Sequence, residues 1–203
     1  MHIATHRALG KMICRCLRAQ GFSPDRGAFL LGTVWPDLSK KYYAWEHTAA
    51  RCKIEITENI YLLSSTALGA AESWRYSFRL GVLCHYLADY FCYAHTDNFT
   101  GDMKAHLRYE WLLATKTFAQ FDPAPLPLQT GRLRPHLMLE QLEQMHHLYL
   151  AAAPLPERDL DWSYRISVQL CADVCRASAT ARLQPGWHGQ SAATQGLPAA
   201  VQL

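Results

Sequence analysis

The sequence has no window of about 18 uncharged apolar residues, so no membrane-spanning helix is expected; Arg79, His85 and Asp89 interrupt the best candidate. The first residues, Met1 to Arg7, lack the basic segment followed by an apolar stretch that marks a secretion signal, and the expected location is the cytoplasm. Alternating runs of β-branched residues are missing, which removes the usual sign of a sheet. Charge is scarce: 18% of the residues are charged, and 20 basic against 17 acidic side chains leave a net +3. No dense Lys/Arg stripe of the kind that tracks a phosphate backbone is present, so specific nucleic-acid binding is not expected. The seven cysteines include no C-x-x-C pair, against a zinc ribbon or a dithiol redox site. Cys84, Cys92, Cys171 and Cys175 sit among apolar residues, as reduced thiols acting as small hydrophobes do. Glycine, with 11 residues, barely outnumbers histidine, with 10, although glycine is normally among the commonest residues. The histidine excess is the feature to explain.

Half of the 203 residues are hydrophobic, enough for a sizeable core. Their spacing follows the helical period throughout. Ile3, Leu9, Ile13 and Leu17 predict a first helix that Gly21 ends. Ser23-Pro24-Asp25 opens a short second helix through Leu31, with Pro36 as its stop just before Asp37. Further helices are expected near residues 49–68, 74–95, 102–120, 136–152 and 157–182, the one at 74–95 being strongly apolar. A proline-rich connector, Asp122 to Pro127, precedes the last two. From Gln184 to Leu203 there is no Asp, Glu, Lys or Arg, which reads as a disordered tail. The expectation is one seven-helix, all-α domain over residues 1–183 and a tail over 184–203.

Inside the most apolar helix stand His85 and Asp89, four residues apart and therefore on one face of one turn. Burying an imidazole and a carboxylate there is costly unless a partner or a metal satisfies them. Two readings are open: a polar plug in the core, or part of a metal site. The spacing recurs in His106 and Glu110 on the following helix, with His95 between the two pairs. Neutral imidazoles and carboxylates are a ligand set suited to zinc. Upstream, Asp37 follows the Trp-Pro stop, His47 lies ten residues further on, and His2 and His6 form another pair spaced by four.

In order and spacing these residues resemble the bacterial zinc-dependent phospholipases C, whose distant relatives are the secreted trinuclear zinc nucleases. The resemblance runs from about His6 to Glu110. It is carried by His85-x-x-x-Asp89, His95 six residues on, and His106-x-x-x-Glu110, with Leu31-Gly32-x-x-x-Pro36-Asp37 and Thr5-His6 similar to two further family segments. It implies an all-α zinc-dependent phospholipase C fold and two to three zinc ions. One ion would be held by Asp37, His47, His85 and Asp89, and a second by His95, His106 and Glu110. The third would use His6 and Asp89, with Asp89 bridging two metals. The family completes that third site with the amine and carbonyl of an amino-terminal tryptophan, which this sequence lacks. Two substitutes are open, the imidazole of His2 and the terminal amine of Met1. Leu38 follows Asp37 where choline-selective members carry an aromatic residue, and the lipid-binding sandwich of the toxin members is absent.

Clustered zinc suits phosphodiester hydrolysis, since the metals neutralise phosphate oxygens and bring the pKa of a water towards about 7. The resemblance thus implies a phospholipase C-like hydrolase that cleaves the glycerol-phosphate side of a phospholipid or related phosphodiester, with Asp37 positioning the attacking water or accepting its proton. Alternatives are a nuclease or phosphomonoesterase with the same cluster, for which Trp35, Tyr42, Tyr43 and Trp45 could stack bases, and a helical domain that zinc only staples. A phospholipid substrate requires at least transient membrane-surface contact, yet no basic amphipathic helix of the surface-binding type stands out. Adjacent His-Asp, the mark of another metal phosphohydrolase class, is absent. Glu143-x-x-His146 has the form of half a di-iron site, but its second half is missing; these two, with His136, His147 and His188, read as ordinary surface residues.

Overall fold

A computed structural model describes residues 1–39, 48–66, 74–123 and 134–181. Eight α-helices lie among them: α1 (Ile3–Ala19), α2 (Arg26–Gly32), α3 (Trp35–Leu38), α4 (Ala49–Ser65), α5 (Trp74–Tyr90), α6 (Met103–Leu112), α7 (Pro135–Ala151) and α8 (Pro156–Ala181). No strand occurs among the described residues, and none of the helices found there is long and apolar enough to cross a membrane.

The centre is α5. From Leu80 to Tyr90 every residue is buried, as expected of a helix that is apolar all round. Helices α2, α4, α8 and α1 pack around it. Helix α1 buries Leu9, Ile13 and Leu17 and ends as its sequence predicts, with Gly21 at φ +86°. The Phe22 amide donates to the Leu17 carbonyl and the Gly21 amide to that of Arg18, the paired closure that a left-handed glycine permits.

Glycine is also needed where α2 meets α5. A Cβ on Gly81 would lie 2.1 Å from the Phe29 carbonyl oxygen, and one on Gly32 2.0 Å from that of Phe78. Both obstacles are backbone, so no side chain can turn aside. Gly81→Ala is expected to cost about 3 kcal/mol or more by forcing the helices apart, measured as a lower urea midpoint. The contact matters beyond stability because the chain leaving α2 runs directly into Thr33 and Asp37.

Three boundaries differ from the sequence expectation. Pro36 does not stop a helix; it sits in the first turn of the separate four-residue α3, where its missing N–H costs nothing. The helix expected to run to residue 95 ends at Tyr90, and His95 occupies its own 3₁₀ turn, Tyr93–His95. The helix expected over 102–120 is α-helical only to Leu112, then continues as a π turn (Leu113–Thr117) and a 3₁₀ turn (Phe118–Gln120). The domain boundary at 183, the tail, His188, and the connector beyond Pro123 lie outside the described residues, as do His47, Tyr42, Tyr43 and Trp45. All seven cysteines are free, and the Cys84 and Cys171 sulfurs are 3.3 Å apart as thiols.

Candidate metal centre

His85 projects from α5 with its ring fixed at one end, since Nδ1 lies 3.1 Å from the Thr33 carbonyl oxygen. That carbonyl can only accept, so Nδ1 donates to it and Nε2 is the nitrogen turned to the interior. Nε2 faces Asp89 Oδ2 at 3.3 Å and Asp37 Oδ1 at 3.7 Å. The His6 ring, from α1, stacks on His85 with centroids 3.9 Å apart and brings its Nε2 to 3.2 Å from Asp89 Oδ1. Burial, with His85 beside it, lowers the His6 pKa to about 4, so the ring is neutral at ordinary pH. His6 is buried; its Nε2 is turned to Asp89, and its Nδ1 has no hydrogen-bond partner among the described residues. A neutral buried imidazole beside a carboxylate can donate its N–H to Asp89 or offer a lone pair to a cation held between them.

The second group forms where the His95 turn meets α6. Nε2 of His95 and of His106 both approach Glu110 Oε1, at 2.9 and 3.1 Å, and the two rings lie edge to face at 4.8 Å. Asp89 lies between the groups, with Oδ1 3.5 Å from His95 Nε2. Each trio, His6–His85–Asp89 and His95–His106–Glu110, has its ligand atoms within 4.8 Å of one another.

The terminal amine of Met1 enters this centre. It contacts Asp89 Oδ1 and lies 2.7 Å from His95 Nε2 and 3.1 Å from Glu110 Oε1. Burial pulls its pKa down, but Asp89 and Glu110 outweigh that and hold it well above the usual range. An ammonium group thus stands where the carboxylates and imidazoles converge, which is the behaviour of a pocket built for a cation. Burial pushes the Glu110 carboxyl up, and the terminal amine, His106 and His95 together hold it far below the usual range. The donor set, the lone pairs and the stand-in ammonium fit zinc.

Of the residues singled out in the sequence, His6, Asp37, His85, Asp89, His95, His106 and Glu110 come together. His2 does not: it is exposed and extended, capping α1 by accepting from the Ala4 amide at 3.1 Å. Its spacing of four from His6 carries no common face because His2 precedes the helix. His146 is not a surface residue; it is buried, stacked on Tyr90 at 3.7 Å, and burial lowers its pKa to about 4. Glu143 instead pairs with Lys53 at 2.6 Å.

Asp159 was not among the residues singled out from the sequence. This buried α8 carboxylate accepts from the Tyr93 amide at 2.9 Å and from the Tyr109 and Tyr149 hydroxyls at 2.7 Å each. It therefore ties the His95 turn and the helix bearing His106 and Glu110 to the core. Burial raises its pKa to about 6 against those three donors. Asp159, Ser163 and Ser167 recur every four residues along α8, and the fold buries all three. Asp159→Asn turns one acceptor into a donor facing donors and is expected to cost about 1 to 3 kcal/mol. Zinc affinity at the His95–His106–Glu110 group should fall with it, as read by chelator competition.

Residues 1–154 match the family model described as zinc dependent phospholipase C. No curated protein and no solved structure matches the chain.

Proposed function

As the chain belongs to the zinc-dependent phospholipase C family, we propose that it is a hydrolase of phosphodiesters, with a phospholipid as its substrate, working on two to three zinc ions. The observation that carries this reading is Asp89, whose two oxygens face two donor sets. Oδ2 faces His85, which also approaches Asp37, and Oδ1 faces His6, His95 and the Met1 amine. One ion would be held by Asp37, His85, Asp89 and His47. A second would be held by His95, His106 and Glu110, and a third by His6, Asp89 and the Met1 amine in place of the tryptophan amine. Bound zinc supplies the charge that acidifies a water and neutralises phosphate oxygens.

The rest falls to the chain's own residues. Asp37, on the short helix at the rim, positions the attacking water and takes its proton; the water oxygen bonds to phosphorus as the bond from phosphorus to the glycerol oxygen breaks. Asp89 and the imidazoles hold their positions through helix packing and the Thr33 carbonyl. The side chains of Asp37 and His106 are each 21% exposed, which supports an open site over a closed structural staple. Leu38 beside Asp37 leaves the headgroup without the aromatic contact that choline-selective relatives use. Seven free thiols support work in a reducing compartment, the cytoplasm.

The test is metal analysis of the purified protein, with hydrolysis measured on phospholipids, nucleotides and simple phosphodiesters. Two or three zinc ions per chain and diglyceride release from phospholipid are expected. Fewer than two ions would overturn the catalytic reading, and turnover confined to nucleotides would replace phospholipid by nucleic acid as substrate.

A further inference from the structure

Helix α6 carries His106 and Glu110 inward, and its outer side holds three large apolar residues in water. Met103, Leu107 and Trp111 are 70, 58 and 56% exposed and recur every four residues, so they form one stripe. At about 100° per residue, the order around the helix is His106, Glu110, Met103, Leu107, Trp111, and then Lys104 and Arg108. The apolar stripe therefore adjoins the metal-binding face on one side and a basic edge on the other. Lys104 and Arg108 are both exposed. Glu110, the one acid from Met103 to Phe121, is buried in the metal centre, and Asp102 is engaged in capping the helix through the Ala105 amide at 2.8 Å. Helix α6 packs chiefly on the His95 turn and on its own continuation, which leaves this side at the periphery.

We propose that the Met103–Leu107–Trp111 stripe and the Lys104/Arg108 edge form the docking surface of this protein for an anionic phospholipid bilayer. The charge complementarity selects this occupant. A stripe with Trp and Leu beside lysine and arginine is what lies in a headgroup layer, where the apolar side chains enter the acyl boundary and the cations meet lipid phosphates. A second copy of the chain would bring the same two cations against each other across an isologous contact. The position also fits the chemistry: a helix lying on the membrane by its outer face holds His106 and Glu110 beside the headgroup layer. The surface gives a functional meaning to three apolar residues that the metal centre does not use. The inference rests on the phospholipid reading above for its purpose, but it can be tested separately from turnover.

The experiment measures co-sedimentation of the full chain, in the Asp37→Asn background that leaves lipid intact, with vesicles of equal phosphatidylcholine and phosphatidylglycerol and with phosphatidylcholine vesicles. Preferential binding to the anionic vesicles is expected. Leu107→Ser with Trp111→Ser should lower partitioning about tenfold or more, and Lys104→Glu with Arg108→Glu, at exposed positions that the fold tolerates, by about tenfold or more. In the native Asp37 background, both pairs should leave hydrolysis of a monomeric short-chain phospholipid unchanged. Vesicle binding that is absent, or unaffected by both pairs, overturns the docking surface. So does a native dimer that Leu107→Ser turns into monomers, which would assign the stripe to a second copy. Stripe-dependent binding without hydrolysis of any phosphodiester keeps the docking surface and removes the catalytic reading, whereas hydrolysis of monomeric lipid without vesicle binding does the reverse.

Discussion

Asp37→Asn is expected to lower phosphodiester turnover by about 10²- to 10⁴-fold, the range lost with a general base, while most of the zinc remains bound. Asn keeps the shape of Asp and can still direct an oxygen towards the metal site, but it cannot take a proton at neutral pH. Asp37 is the least enclosed of the carboxylates in the centre, lying 3.7 Å from His85 Nε2 on the four-residue helix α3. A ligand at the rim can meet substrate and water, as one at the core cannot. The measurements are kcat on a soluble phosphodiester and zinc per chain by mass spectrometry. Full turnover in the Asn variant would show that proton transfer runs through another group. Loss of all zinc would make Asp37 chiefly a ligand.

Asp89→Ala should have the larger effect on the molecule itself. Asp89 is fully buried, and its oxygens face His6, His85, His95 and the Met1 amine. Burial pushes its carboxyl up, but His95, the terminal amine, His6 and His85 outweigh that and hold its pKa well below the usual range. Removing it leaves a buried ammonium with Glu110 as its one carboxylate partner among the described residues, and breaking a buried pair in this way costs about 3 to 5 kcal/mol. Metal stabilisation should go as well, which is about 4 kcal/mol when free zinc exceeds its Kd a thousandfold. Expected results are at least one zinc ion fewer per chain, a lower urea midpoint, and a midpoint that no longer responds fully to chelator. Asp89→Asn, which keeps the volume, separates charge from packing. Native zinc content and stability in both variants would mean that Asp89 bridges nothing.

The helical period of the apolar residues, the absence of sheet signals and the i, i+4 pairs His85/Asp89 and His106/Glu110 were readable in one dimension because each depends on neighbours within a turn or two. The same locality explains the boundary of α1, where Gly21 is the residue best suited to the left-handed closure. His95 was legible as a candidate but not as a member of a separate turn, since the end of α5 depends on how Cys92 and Tyr93 meet Asp159 and α6. His2 shows the opposite error, in which a correct spacing lost its meaning when the first residue fell outside the helix. His146 was misread as a surface residue because a polar position marks a solvent face only where no other helix covers it, and Asp159 was passed over because its three partners lie on other elements.

The sequence by itself determined an all-helical chain and the donor types that suit zinc, because helix periodicity and ligand chemistry are properties of short segments. Only the tertiary structure decided which donors share a centre. The glycine contact between α2 and α5 sets the Thr33 carbonyl against His85, the packing of α1 brings His6 and the Met1 amine to Asp89, and α8 anchors the turn of His95. These are meetings of residues up to 88 positions apart, and nothing in local spacing encodes them. The exposed stripe on α6 belongs with them, since an apolar residue declares itself unburied only when every neighbour has been placed.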